Sequence, residues 1–239
     1  MRLILALCLP LFLSTLPTLA NAFSRADLLG QFSPSKHPDF TRVDAKYASR
    51  KGLRLRKDVL TAFKKMHAHA KKTGVTLQIK SATRSFYHQK SIWERKWHGD
   101  RLVNGINLAK SDMTDAKKAA LILQYSSMPG TSRHHWGTDI DLNALNNTYF
   151  EQGKGLKVYQ WLRHNAATYG FFQPYTSKAQ GRTGYEEEKW HWSYAKTAQA
   201  MRADYNKRIT HSLITGFAGS QTAKPLNVIQ IYVNGIEQP

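Results

Sequence analysis

The chain has 239 residues, and 35 lysines and arginines against 16 aspartates and glutamates give a formal net charge of +19. With 41% hydrophobic and 21% charged residues it is no disordered polyelectrolyte, and its length suits one ordinary domain with a real core. The single cysteine, Cys8, lies in the first apolar run, which excludes a thiol nucleophile, a thiolate ligand or a disulfide from the rest of the chain.

Residues 1–22, MRLILALCLPLFLSTLPTLANA, place one Arg before an apolar run and end on Ala20-Asn21-Ala22, the small-x-small pattern of a cleaved export signal. Pro10 and Pro17 interrupt the run, and it is too short for a spanning helix, which needs about 20 apolar residues. The expectation is a protein exported to a bacterial periplasm or cell surface, with no transmembrane anchor after cleavage. A basic surface draws polyanions. In that compartment these are anionic envelope polymers before any nucleic acid, and no specific nucleic-acid partner is expected.

Residues 23–54 show no sustained period and read as an N-terminal arm. From residue 56 the apolar positions Val59, Leu60, Phe63, Met66 and Ala70 recur every three or four residues and Gly74 follows, which predicts an amphipathic helix. VTLQIKS (75–81) alternates and predicts a half-buried strand. SFYHQKSIWERKW (85–97) and TDAKKAALILQY (114–125) predict helices, the second with Thr114 as N-cap. Another helix is predicted over 155–170, where Leu156, Tyr159, Leu162 and Ala166 share a face before Gly170. EEKWHWSYA (187–195) reads as extended, a basic helix follows from Ala195 to Ile209, and LNVIQIYVNGIE (226–237) reads as a β-branched, strand-like tail. Strands and helices mixed without strict alternation predict a single α+β domain with a small, largely antiparallel sheet flanked by helices. The expected divisions are a signal (1–22), an arm (23–54), a catalytic domain (55–194) and a C-terminal helix and tail packed on it (195–239).

The stretch PGTSRHHWGTDIDL (129–142) gathers two histidines and two aspartates, and EKWHW (188–192) adds Glu188 and His191 about fifty residues later. Zinc enzymes commonly take three His or carboxylate ligands and leave a fourth position for water. Gly137 lets the backbone double back between a histidine and an aspartate seven residues apart. Residue type does not separate His134 from His135 or Asp139 from Asp141. A flat strand would put Glu188 and His191 on opposite faces, so a bend near Trp190 is required. Hydrogen bonding to nearby backbone is the competing use for all of these side chains.

SRHHWGTDID resembles the S-x-H-x-x-G-x-x-x-D motif, and EKWHW the E-x-W-H motif, of the VanY-like D-alanyl-D-alanine carboxypeptidases, zinc peptidases grouped with lysostaphin-type endopeptidases and the hedgehog domain. SATRSFYHQ resembles a third family element, S-x-x-R-S-x-x-x-Q. The resemblance implies that fold, one Zn²⁺ held by His134, Asp141 and His191, and Glu188 as catalytic base. It makes Arg84 the partner of a substrate's terminal carboxylate, with Gln89 a weaker companion and Ser132 a hydrogen-bonding partner of the substrate backbone. Trp192 is expected to line the cleft. Asp139, where the family often has Ala, is expected to face solvent or bond locally rather than orient a ligand histidine. His67, His69, His88 and His98 match no motif.

The implied reaction is removal of the terminal D-amino acid of peptidoglycan stem peptides, D,D or L,D, by metal-activated water. An endopeptidase of the same fold is the close alternative, although it would have no terminal carboxylate for Arg84. A secreted metal-dependent nuclease fits the charge but leaves the Glu188 and His191 pair unexplained. A catalytically dead wall-binding module is opposed by the presence of all four of His134, Asp141, Glu188 and His191.

Overall fold

The computed structural model describes residues 23–239, so the export signal expected over residues 1–22 lies outside the described residues. The segment read as an aperiodic arm contains short regular elements. Ser24 and Asp27 form a reciprocal capping box at the start of helix α1 (Arg25–Leu29), which buries Leu28 and Leu29. Strands β1 (Phe40–Arg42) and β2 (Arg54–Arg56) then pair antiparallel. Three residues are too few to display a period, which is why the sequence does not announce them.

Helix α2 (Lys57–Lys72) buries the stripe Val59, Leu60, Phe63, Met66 and Ala70. Strand β3 (Ile79–Ser81) uses only the end of the alternating segment. Helices α3 (Phe86–Trp97) and α4 (Asp115–Ile122) start after Ser85 and Thr114, whose side chains accept the backbone N–H of His88 and Lys117. Strand β4 (Asp139–Leu142) follows, and then helix α5 (Gly153–Asn165), extended by a 3-10 turn to Gly170 at φ 79°. Strands β5 (Phe171–Phe172) and β6 (His191–Tyr194) precede helix α6 (Ala195–Arg208). The tail departs from the extended expectation, because Ile229–Val233 forms a π-helical turn closed by the Asn234 amide on the Ile229 carbonyl. Val228 and Val233, both fully buried, lie five residues apart, a spacing that this turn and not a strand puts on one side. Among the described residues no helix is long and apolar enough to cross a membrane.

The main sheet is antiparallel in the order β3-β4-β6-β5. Alternation divides β4 and β6 between two chemistries. Ile140, Leu142 and Trp192 join Phe63, Met66, Val158 and Leu162 in one apolar cluster between the sheet and helices α2 and α5. Each such fully buried side chain contributes roughly 1.5–3 kcal/mol. That offsets the cost of the other face, where Asp139, Asp141, His191 and Ser193 are also buried. Antiparallel register sets Asp141 opposite His191 and Asp139 opposite Ser193.

Candidate active site

A 3-10 turn, Arg133–Trp136, ends at Gly137 in the left-handed conformation, φ 72°. A Cβ at residue 137 would lie 2.3 Å from the Phe40 ring, so glycine is required for both backbone and space. The turn brings His134 back over β4. The Nδ1–H of His134 donates to the Ala82 carbonyl at 2.8 Å, which leaves Nε2 as a bare lone pair 3.4 Å from Asp141 Oδ1. On the neighbouring strand, the His191 N–H donates to the Glu188 carbonyl at 3.1 Å and closes a turn through Lys189 and Trp190. This is the bend that Glu188 and His191 need in order to share a face. Glu188 Oε2 stands 3.1 Å, and Asp141 Oδ1 3.3 Å, from His191 Nδ1. Asn147 braces the turn by donating to the Glu187 carbonyl at 2.8 Å and accepting the Lys189 N–H at 3.0 Å.

His134, Asp141 and His191 each offer a ligand atom, and these atoms lie within 4.8 Å of one another. Two of them, His134 Nε2 and Asp141 Oδ1, are buried without a hydrogen-bond partner. An unpartnered buried polar atom costs on the order of 1–3 kcal/mol, and two lone pairs converging on one point cannot satisfy each other. A cation satisfies both, so the residues present fit a metal ion.

Burial and neighbouring charges move the groups of the cluster in different directions. Burial lowers the His134 imidazole, reinforced by Arg84. Burial also opposes charge on His191, but the hydrogen bonds to Asp139 and Glu188 and the nearby Asp141 carboxylate outweigh it and raise that imidazole well above its usual range. Burial pushes the Glu188 carboxyl up, and the His191 hydrogen bond only partly opposes this.

Asp139 does not face solvent: it bonds locally, as expected, but it also reaches the candidate ligand His191, contrary to expectation. It is fully buried, and Oδ2 accepts from His191 Nε2 at 2.7 Å and from Arg133 Nε at 3.0 Å. Oδ1 accepts from the Thr138 hydroxyl at 2.6 Å and the Ser193 hydroxyl at 2.7 Å. Burial alone would raise this carboxyl, but the Arg133 charge and the His191 bond hold it well below its usual range. Strand parity is the reason for its place: residues 139 and 141 point the same way, so the carboxylate that does not join the cluster reaches the far nitrogen of His191. That bond fixes the imidazole with Nδ1 turned toward Asp141 and Glu188.

A cavity of about 650 Å³ opens over His134, Asp141, Glu188 and His191. The profile of the family described as VanY, D-alanyl-D-alanine carboxypeptidase, matches residues 52–197, which span the cluster and most of the cavity wall. The chain belongs to the VanY family. Among curated relatives, YodJ of Bacillus subtilis (strain 168), provisionally named a carboxypeptidase, is 28% identical over 70% of this chain and 56% of its own length. A D-alanyl-D-alanine carboxypeptidase of Enterococcus faecalis (strain ATCC 700802 / V583) is 34% identical over 37% of this chain and 32% of its own length. The chain thus spans about half or less of the curated relatives it matches. The LD-carboxypeptidase LdcB, whose structure was described as revealing the molecular basis of peptidoglycan recognition, superposes with a TM-score of 0.53 at 24% identity, covering 74% of this chain and 76% of that one. The likeness to LdcB is one of fold.

In this VanY-family chain Arg84 and Ser132 line the cavity with the four cluster residues. The Ser132 hydroxyl is buried without a partner and makes no cap, which leaves it free toward a ligand. Arg84 is fixed through its backbone: its N–H donates to the His134 carbonyl at 3.1 Å, and its carbonyl accepts from His135 Nδ1 at 2.7 Å. His135 uses its other nitrogen to accept the Gly130 N–H at 3.0 Å, and burial takes its pKa down to about 3, so it is a neutral brace beside the cluster. Gln89 and Trp192 are not brought to the cavity. Gln89 donates to the Ser127 carbonyl at 2.8 Å from a buried position, and Trp192 packs in the core on the opposite face of β6. Trp190 lines the cavity instead, stacked with Tyr125 at 6.4 Å between ring centroids. Sequence reading also missed Lys96 and Ser126 of the cavity wall; His88, Ile92 and Lys96 repeat every four residues, a signal that lay in the sequence unread.

Proposed function

We propose that this protein is a zinc-dependent carboxypeptidase that removes the terminal D-amino acid from peptidoglycan stem peptides. The observation that carries the reading is the pair of unpartnered buried donors, His134 Nε2 and Asp141 Oδ1, beside His191 Nδ1 and an adjoining Glu188 carboxylate. Two imidazoles, one carboxylate and a free carboxylate beside them are the donor chemistry of a catalytic zinc site. His134, Asp141 and His191 would hold the zinc ion, which when bound would supply Lewis acidity to polarise a scissile carbonyl and to lower the pKa of water from 15.7 to about 7.

The chain's own groups do the rest. Glu188, its carboxyl moved up by burial, accepts a proton from the attacking water and returns it to the leaving amine. Asp139 holds the His191 ring in one orientation. Ser132 offers its hydroxyl to the peptide backbone, and Arg84 offers a planar fork to the terminal carboxylate. The export signal read in residues 1–22 would accord with a substrate in the cell wall. The relatives' names accord with the reaction.

Purified protein is expected to contain one zinc per chain by elemental analysis and to release a single terminal D-amino acid from defined muropeptides, read by mass spectrometry. Absence of metal, or a His134→Ala variant that binds it undiminished, overturns the metal site; products cut within the stem transfer the reading to an endopeptidase.

Asp139 provides a separate check. Asp139→Asn keeps the shape but weakens the acceptor for His191, and zinc affinity measured by chelator competition is expected to fall about tenfold. Unchanged affinity would show that Arg133, Ser193 and packing alone fix the ring.

A further inference from the structure

Much of the cavity lining is cationic. Arg50, Lys80, Arg84, Arg95, Lys96 and Arg101 all line it. Among the described residues the lysines and arginines in ion pairs are Arg56, Lys64, Lys90, Arg133, Lys178 and Lys189, and none of these is on the wall. In a chain of net charge +19, unpaired surface cations are ordinary. Lys96 is different because it is half-buried and its Nζ donates to the nearly buried Ser126 hydroxyl at 2.5 Å. A neutral hydroxyl cannot compensate an ammonium taken partly out of water beside Arg101 and Arg84, and the Glu188 carboxylate offsets this only in part. Burial and then the neighbouring Arg101 charge lower the Lys96 ammonium to about 8, so it still carries its charge at neutral pH.

The supporting structure is also specific. Ser126 is tied to the end of α4 by its N–H on the Ile122 carbonyl at 3.0 Å, and Gln89 anchors the next residue through the Ser127 carbonyl at 2.8 Å. Gln89, a motif residue that does not reach the cavity, thus steadies the loop that presents Ser126 to Lys96. Arg84 precedes α3 and Lys96 lies near its far end. The helical rise of 1.5 Å per residue puts about 15 Å between those ends, and side chains lean toward the helix N-terminus. An extended peptide advancing roughly 3.3–3.6 Å per residue needs about four to five residues for about 15 Å. The lean of the Lys96 side chain toward the helix N-terminus shortens the interval toward about 10 Å, or about three residues.

We infer that Lys96 and Ser126 form a second anion subsite, which takes a carboxylate of the peptide upstream of the terminal one held by Arg84. The substrate class is then a peptide with at least two carboxylates, one at its C-terminus and one about three residues before it. A stem peptide with a free α-carboxyl on its γ-linked glutamate has this pattern, and the same peptide with that carboxyl amidated does not. The inference rests on the carboxypeptidase reading for the position of the terminal carboxylate.

The test uses L-Ala-γ-D-Glu-L-Lys-D-Ala-D-Ala, its glutamate α-carboxamide and its C-terminal amide. Kd is measured by calorimetry on Glu188→Gln protein with and without Lys96→Met, and kcat/KM on the corresponding proteins with Glu188 intact. With Lys96 present, the glutamate carboxamide is expected to bind about tenfold or more weakly than the free acid. Lys96→Met should erase that difference, leave the penalty for C-terminal amidation in place, and leave zinc content unchanged; Lys96→Arg should restore the glutamate discrimination. Equal binding of the two glutamate forms to the Lys96 protein overturns the subsite, as does Lys96→Met abolishing the terminal-amide penalty instead, which would assign Lys96 to the Arg84 clamp. Failure of the carboxypeptidase reading looks different: protein without zinc, or no release of terminal residue from any of the three peptides.

Discussion

Glu188→Gln is expected to lower kcat by about 10²- to 10⁴-fold while zinc content and fold persist. Glu188 is 6% exposed, and its backbone is held at both ends: the N–H donates to the Tyr175 carbonyl at 2.9 Å and the carbonyl accepts from Gln173 at 3.3 Å. The side chain makes one hydrogen bond, to His191 Nδ1, so an amide of the same shape disturbs little packing. What the amide lacks is the capacity to take a proton. Burial raises the native carboxyl toward the operating pH, where a general base transfers protons most effectively. The checks are steady-state kinetics on a stem peptide, elemental analysis and near-ultraviolet circular dichroism. Activity within a few-fold of wild type would assign the base to another group, and loss of zinc would show that Glu188 supports the metal instead.

The second large effect concerns Arg84 and what lies beyond the scissile bond. Its N–H and carbonyl are locked to His134 and His135, and its buried Nε has no partner, so its side-chain donors remain available to a ligand. Amidating the substrate's C-terminus is expected to lower kcat/KM by about ten- to a hundredfold in wild-type protein, the value of a charge-assisted pair. Arg84→Ala should impose a similar loss on the free acid. Amidation should then add little, because both changes remove one interaction. Additive losses would place the terminal carboxylate elsewhere. Wild-type protein that cuts both forms equally well would exclude a carboxylate clamp and favour an endopeptidase.

The long helices and the fold class were legible because their signals are local. A stripe such as Val59, Leu60, Phe63, Met66 and Ala70 declares a helix from spacing alone, and Thr114 declares a start from its side-chain chemistry. Short elements have no such signature. Strands β1 and β2 have three residues each, and the β-branched tail turned helical because burial of Val228 and Val233 overrode strand propensity. At the candidate site, the identities of His134, Asp141, Glu188 and His191 came from motif resemblance; residue type alone left His134 and His135, or Asp139 and Asp141, interchangeable. Parity along β6 already held the clue that Trp192 points away from whatever face His191 occupies.

By itself, then, the sequence determined the helical frame, the donor types and the two segments that supply them. Tertiary structure alone decided which nitrogen of each histidine is bare, that Asp139 serves His191 rather than solvent, and that Lys96 and Trp190 join the cavity while Gln89 and Trp192 do not. The reason is physical. Helical periodicity and caps are set within a few residues, whereas these outcomes depend on the antiparallel register of β4 against β6, which joins residues about fifty apart. A one-residue slip in that register would turn every side chain of one strand to the other face.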